Sequence, residues 1–160
     1  MVEHVRYALR RYGIVPSTLI LEVTESVLVA DPTAVAKLGQ LKALGLRLAI
    51  DDFGTGYSSI SYLRRFPVDI LKIDREFTDG ADSPDGLRLL RGIVQLGRVV
   101  GLDLVAEGIE RPGQIGPIIE AGFLHGQGFL LARPMEADAL TALLGIGSGG
   151  LTYLSTPKVA

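Results

Sequence analysis

The sequence contains no cysteine. That excludes disulfides and thiolate metal centres, so any ion bound here must be held by oxygen or imidazole. It also lacks a charge bias: 16 lysines and arginines against 18 aspartates and glutamates leave a net charge of −2 and an isoelectric point near 5.7. Without a broad basic surface, binding to a nucleic-acid polymer is not expected. No apolar run approaches the ~18–20 residues that cross a bilayer. Charge follows Met1 within two residues, so no signal peptide is expected, and the expected compartment is the cytoplasm. There is no internal repeat, no low-complexity block, and neither a Walker loop nor a dinucleotide fingerprint. What remains is a chain of 160 residues, 48% hydrophobic, enough for one domain with a real core.

The hydrophobic pattern alternates between short β-prone runs and helical periodicity. A helix is predicted over 1–12, with Val2, Val5 and Leu9 on one face and Gly13 ending it. Strands are predicted at 18–23, 46–50, 68–73 and 102–106, with a weak one near 122–130. Asp31-Pro32 predicts a helix start, and apolar residues 35, 38, 41 and 44 predict its buried face. Further helices are predicted at about 57–65, 84–100 (opened by Ser83-Pro84, closed by Gly101), 112–121 and 136–144. Four glycines in residues 145–150 predict a flexible tail over 145–160 after a domain spanning 1–144. A βα rhythm without hairpins implies a parallel sheet with right-handed crossovers. The strands read as continuous apolar runs, as strands covered on both faces do. About five strands are visible, whereas a closed (β/α)8 barrel needs eight and ~250 residues. A doubly wound sheet is the competing architecture.

Charge collects at the strand ends. The first strand ends in Glu22-Val23-Thr24-Glu25-Ser26, the second in Asp51-Asp52, the third carries Lys72 and ends in Asp74. The fourth ends in Glu107 and Glu110, and His125-Gly126-Gln127-Gly128 follows in the fifth region. In a parallel sheet all C-terminal strand ends share one edge, so these groups should converge. A single acid such as Glu25 or Asp74 is equally well a helix N-cap. Glu22, Lys72 and Glu107, however, lie in or at the end of apolar strands, where a charge must be paired or bound to metal. Clustered carboxylates repel one another, and a divalent cation removes that conflict. The all-oxygen set favours Mg2+ or Mn2+ over zinc. Adjacent Asp51 and Asp52 suit a two-metal site, in which one bridges both ions and its neighbour binds one. Gly54-Thr55-Gly56 reads either as a plain turn or as a mobile loop that responds to metal and substrate. His4 and His125 read as surface and structural.

These strings resemble the EAL domain, a phosphodiesterase that cleaves cyclic di-GMP to linear pGpG. The matching segments are Leu21 through Ser26, Asp51 through Leu63, Phe66 through Asp74, Val105 through Glu110 and Gln127-Gly128-Phe129. The resemblance implies a modified (β/α)8 barrel. It implies that Glu22 binds the first metal, Asp51 bridges, and Asp52 and Glu107 bind the second ion, with Glu107 also a candidate general base. Lys72 would contact the attacking water, and Gln127 would position that water or the lysine. Glu25 would anchor the loop Gly54, Thr55, Gly56, Tyr57 and Ser58, a loop linked in the family to metal binding and dimerisation.

The sequence also departs from the family. The Glu-Ala-Leu string that names it, whose glutamate binds metal, does not occur, nor does the asparagine-bearing string of the next strand. Arg111 and Phe129 stand where Thr and Tyr are common. The expectation is therefore an incomplete TIM-like barrel lacking its first strands, with an incomplete two-metal site. Two readings follow: the C-terminal two-thirds of a metal-dependent cyclic di-GMP phosphodiesterase, or else a catalytically inactive module that binds cyclic di-GMP or a protein, or a non-functional truncation product. Open sheet edges imply self-association or a partner that completes the barrel. No Gly-Gly-Asp/Glu-Glu-Phe string supports a diguanylate cyclase.

Overall fold

The structure, a computed structural model, describes residues 1–54, 63 and 65–146. Five strands form one sheet in sequence order: β1 (Ile20–Thr24), β2 (Arg47–Phe53), β3 (Ile70–Ile73), β4 (Asp103–Ala106) and β5 (His125–Gly126). Every neighbouring pair is parallel, as a chain without hairpins requires. The helices are α1 (Val2–Tyr12), α2 (Glu25–Ala30), α3 (Ala34–Lys42), α4 (Arg75–Asp79), α5 (Pro84–Val100), α6 (Pro112–Ala121) and α7 (Ala137–Ile146). Of the predicted helix at 57–65 only residues 63 and 65 are described, and the tail beyond 146 lies outside the described residues.

Capping chemistry sets the clearest boundaries. Ser83 accepts a hydrogen bond from the Gly86 N–H at the start of α5, Pro84 occupies the first turn, and Gly101 closes the helix at φ 76°. The Asp31-Pro32 start is corrected. Asp31 Oδ1 accepts from the Thr33 N–H (2.8 Å) and hydroxyl (2.6 Å), making an aspartate turn ahead of α3, which opens at Ala34. Lys37 and these Thr33 contacts hold the Asp31 carboxyl down at about 2. The buried face of α3 is accordingly Ala34, Leu38 and Leu41, while Val35 is exposed. Helices α2 and α4, with six and five residues, were not anticipated, because neither is long enough to show a period. The weak strand expected over 122–130 shrinks to the two residues of β5.

The core lies between one sheet face and the helices. Leu48, Ile50, Leu71, Ile73, Leu104 and Ala106 are all buried there, against Leu38 and Leu41 of α3, Leu90 and Val94 of α5, and Ile118 and Ala121 of α6. A Cβ on Gly97 would come within 2.8 Å of Leu104, so the glycine sets how closely α5 approaches β4. At the N-terminal end of the sheet, Asp69 accepts from the Leu48 N–H (2.8 Å) and from Lys42 Nζ (2.6 Å), tying α3, β2 and β3 together. No helix is long and apolar enough to cross a membrane, among the described residues.

Candidate active site

Side chains alternate across a strand, and the register shows which ones share a face. Glu22 lies opposite Ala49, Thr24 opposite Asp51, and Ala49 opposite Ile70. Lys72 lies opposite Val105, which in turn lies opposite His125. The face turned away from the core therefore carries Glu22, Asp51 and Lys72, continued one step beyond β4 and β5 by Glu107 and Gln127. The strands are thus apolar on one face and polar on the other, not uniformly apolar. The Arg47–Asp103 ion pair (2.5 Å) closes the N-terminal end of this polar face.

Lys72 is the centre of the site. Its side chain is 7% exposed, and its ammonium lies 2.8 Å from Glu22 Oε2, 2.8 Å from Asp51 Oδ1 and 2.9 Å from Glu107 Oε1. Three acceptors match the three protons of an ammonium. Burial by itself would lower the lysine pKa, but the hydrogen bonds it donates to Asp51, Glu22 and Glu107 outweigh it and hold the group well above its ordinary value. Glu107 is pushed up by burial, against the opposing effect of Lys72. Gln127 Nε2 donates to Glu107 Oε1, so that one oxygen is shared by the lysine and the amide.

Asp51 and Asp52 would point to opposite faces of a regular strand. Here the β2–β3 register shifts between Ile50 and Phe53, and Asp52 takes a left-handed backbone conformation with φ 55°. The irregularity turns two consecutive carboxylates toward one site. Asp51, Asp52 and Glu107 each place an oxygen within 4.8 Å of the others. Burial and the charges of Asp51 and Asp74 raise the Asp52 pKa. One ammonium thus faces several carboxylates, and the donors are all hard oxygens. That set fits a divalent cation of the Mg2+, Mn2+ or Ca2+ kind. Glu22 meets Lys72 but lies outside the group of three and is 47% exposed.

The remaining candidates divide. Asp74 is the N-cap of α4, accepting from the Glu76 N–H at 2.8 Å. Glu110 pairs with Arg75 at 3.2 Å. Buried Glu25 accepts from the Gly54 N–H at 3.4 Å, and its other oxygen has no partner among the described residues. Gly54 has φ 101°, and a Cβ there would meet the Phe77 ring at 2.4 Å. Thr55, Gly56 and Ser58 lie outside the described residues. His4 and His125 are exposed. A cleft of about 540 Å³ opens beside Glu107 and Gln127, bordered by Arg75, Phe129 and Arg133, with the Arg133 guanidinium 5.0 Å from the Phe129 ring centre. The two arginines were not singled out from sequence. The signal for Arg75, a cation directly after the acid that follows β3, was available, whereas Arg133 lies well beyond β5.

The EAL domain family profile matches residues 1–134. The chain is 48% identical over 144 residues to MucR of Pseudomonas aeruginosa, named a bifunctional diguanylate cyclase/cyclic di-GMP phosphodiesterase; the match covers 89% of this chain and 21% of MucR. It is similar to the solved MucR phosphodiesterase–c-di-GMP complex, with TM-score 0.79 and 48% identity over 87% of this chain and 57% of that one. It is similar to the EAL domain of Mycobacterium smegmatis DcpA, with TM-score 0.85 and 40% identity over 91% and 66%. It is also similar to Klebsiella pneumoniae BlrP1 in a manganese/cy-diGMP complex, with TM-score 0.77 and 32% identity over 83% and 34%. The chain thus spans about a fifth of MucR's length.

Proposed function

Because the chain belongs to the EAL domain family, we propose that its polar sheet face forms part of a metal-dependent site that hydrolyses cyclic di-GMP to pGpG. The observation that carries this reading is the convergence of Asp51, Asp52 and Glu107 around the Lys72 ammonium. In this reading Glu22, Asp51, Asp52 and Glu107 hold two Mg2+ or Mn2+ ions, which supply an activated water and positive charge at the phosphorus. Water oxygen bonds to phosphorus, the bond to the ribose 3′ oxygen breaks, and that oxygen takes up a proton. Lys72 fixes the carboxylates and orients the attacking water; Glu107 receives its proton, and Gln127 holds the Glu107 carboxylate. Arg75 and Arg133 offer charge to phosphate, and Phe129 offers a face to a guanine. Glu25, which accepts from the Gly54 N–H, anchors the start of the glycine segment that follows Asp52 in sequence. We place the domain at 1–144, with a tail beyond it, in the cytoplasm.

The test is incubation with cyclic di-GMP and Mn2+ or Mg2+, for the chain alone and joined to the preceding strands of an EAL domain. The expected product is pGpG, formed at a rate that Lys72→Met lowers by about 10²–10⁴-fold. No turnover in either form overturns the reading. A second reading, binding without hydrolysis, rests on the absence of the Glu-Ala-Leu string and of the asparagine ligand from these 160 residues. Titration calorimetry that finds tight binding of cyclic di-GMP, with no pGpG formed by either protein, selects it.

A further inference from the structure

Among the described residues, two polar side chains are completely buried outside the acid cluster: Thr78 of α4 and Gln114 of α6, both 0% exposed. Neither faces the polar side of the sheet. Both hold the segment that leaves β4 with Glu107 at its head. The Glu107 N–H is bound to the Ile73 carbonyl at 3.0 Å, as the sheet dictates. Its carbonyl has passed the last ladder position and accepts instead from the Thr78 hydroxyl, at 2.5 Å. The same hydroxyl lies 3.2 Å from the Arg75 carbonyl within its own helix. One hydroxyl has one proton, and the shorter contact takes it to Glu107.

Gln114 secures the other end. Its Oε1 accepts from the N–H groups of Glu110 (2.9 Å) and Arg111 (2.7 Å). Its Nε2 donates to the carbonyls of Thr78 (3.2 Å) and Gly108 (3.4 Å). Both acceptor positions and both donors are used, and one donor returns to the residue that grips Glu107. Between the two grips the chain turns at Gly108, with φ 65°, where a Cβ would lie 2.3 Å from that of Arg75. The peptide after Glu107 is therefore held against α4 by hydrogen bonds from two fully buried residues. Their product is the placement of one carboxylate oxygen, which serves both Lys72 and Gln127.

We propose that Thr78 and Gln114 are positioning residues for Glu107: a buried clamp that sets where its carboxylate stands relative to Lys72 and Gln127. The inference rests on the role proposed for Glu107. A carboxylate that must meet a reacting centre tolerates displacements well below 1 Å, so a grip on the backbone of the same residue acts on rate more than on binding.

The test compares Thr78→Val, which keeps the shape and removes the donor, with Thr78→Ser, which restores the donor; Gln114→Met releases the other end. The first readout needs neither metal nor substrate: solvent exchange of the Gln127 side-chain amide protons by NMR, with exposed Gln95 as internal reference. Exchange at Gln127 is expected to speed up about tenfold in Thr78→Val and in Gln114→Met, and to stay at the parental rate in Thr78→Ser. The second readout is hydrolysis of cyclic di-GMP, where kcat is expected to fall about 10–100-fold in Thr78→Val with KM within about threefold, and Thr78→Ser to recover it. Parental Gln127 exchange in both Thr78→Val and Gln114→Met overturns the clamp, and so does a Thr78→Ser protein as disturbed as Thr78→Val. A parent protein that does not turn over counts against the phosphodiesterase reading alone, because the exchange comparison still decides the clamp.

Discussion

At the scale of single residues, the site concentrates negative charge around one ammonium. Asp52 shows the consequence most directly. It sits in a left-handed conformation unusual for a residue with a side chain, beside Asp51 and Asp74, whose charges together with burial raise its pKa. Such an arrangement favours ion binding at the expense of the metal-free fold. Asp52→Asn keeps a residue tolerant of this backbone and removes the repulsion. Without metal, its melting temperature is expected to exceed the parent's by about 1–3 °C. With saturating Mn2+ the order reverses, because the parent gains binding free energy that the variant lacks. Thermal melts with and without Mn2+ check both halves; a variant that melts below the parent without metal refutes the account. Lys72 carries the complementary lesson. Its three partners come from β1, β2 and the end of β4, so one buried cation orders side chains up to 50 positions away from it in sequence.

At the scale of elements, the sheet has a functional end and a structural end. The structural end depends on Asp69, which joins the last turn of α3 to the start of β2. Burial would raise its pKa, but the hydrogen bonds from Lys42 and the Leu48 N–H prevail and lower it below the ordinary value of 3.8. A carboxyl whose folded pKa lies below its unfolded one contributes stability that is present above the unfolded value and lost as pH falls through the folded one. Asp69→Asn is therefore expected to be less stable than the parent by about 1–2 kcal/mol at pH 7. The gap narrows below about pH 4. Urea unfolding at pH 7 and pH 3 measures it, and an unchanged gap at pH 3 contradicts the assignment. At the functional end, the short helix α4 links three features of the site. Asp74 caps it, Phe77 lies against Gly54, and Thr78 reaches Glu107. Five residues suffice because each side of the helix is held by a neighbour rather than by its own period.

At the scale of the whole molecule, the fold is the parallel α/β architecture of a TIM-barrel-like EAL domain, with five strands among the described residues. Among the described residues, β1 stands at one end of the sheet and pairs with β2 alone. Its Ile20 is 42% exposed. An apolar strand with one unpaired edge is a template for another strand. The chain is expected to self-associate through this edge, and Ile20→Lys is expected to shift it toward monomer. Size-exclusion chromatography with light scattering decides; a parent that is monomeric at high concentration sinks the expectation.

Local chemistry accounts for what the sequence determined by itself. Gly13 and Gly101 end helices because they accept a left-handed backbone, Ser83-Pro84 opens one, and the absence of hairpins makes the sheet parallel. The acids and the lysine were legible because charge in an apolar strand needs a partner, and a parallel sheet brings all strand ends to one edge. Other features depended on contacts between distant segments. The register shift that turns Asp51 and Asp52 to the same site arises from the pairing of β2 with β3. Asp31 and Asp74 both precede helices, yet Asp74 caps α4 while Asp31 closes a turn ahead of α3. Thr78 and Gln114 look like ordinary polar residues of two helices, one of them too short to be read from periodicity. Only packing α4 and α6 over the end of β4 removes them from water and makes their hydrogen bonds to the Glu107 segment obligatory.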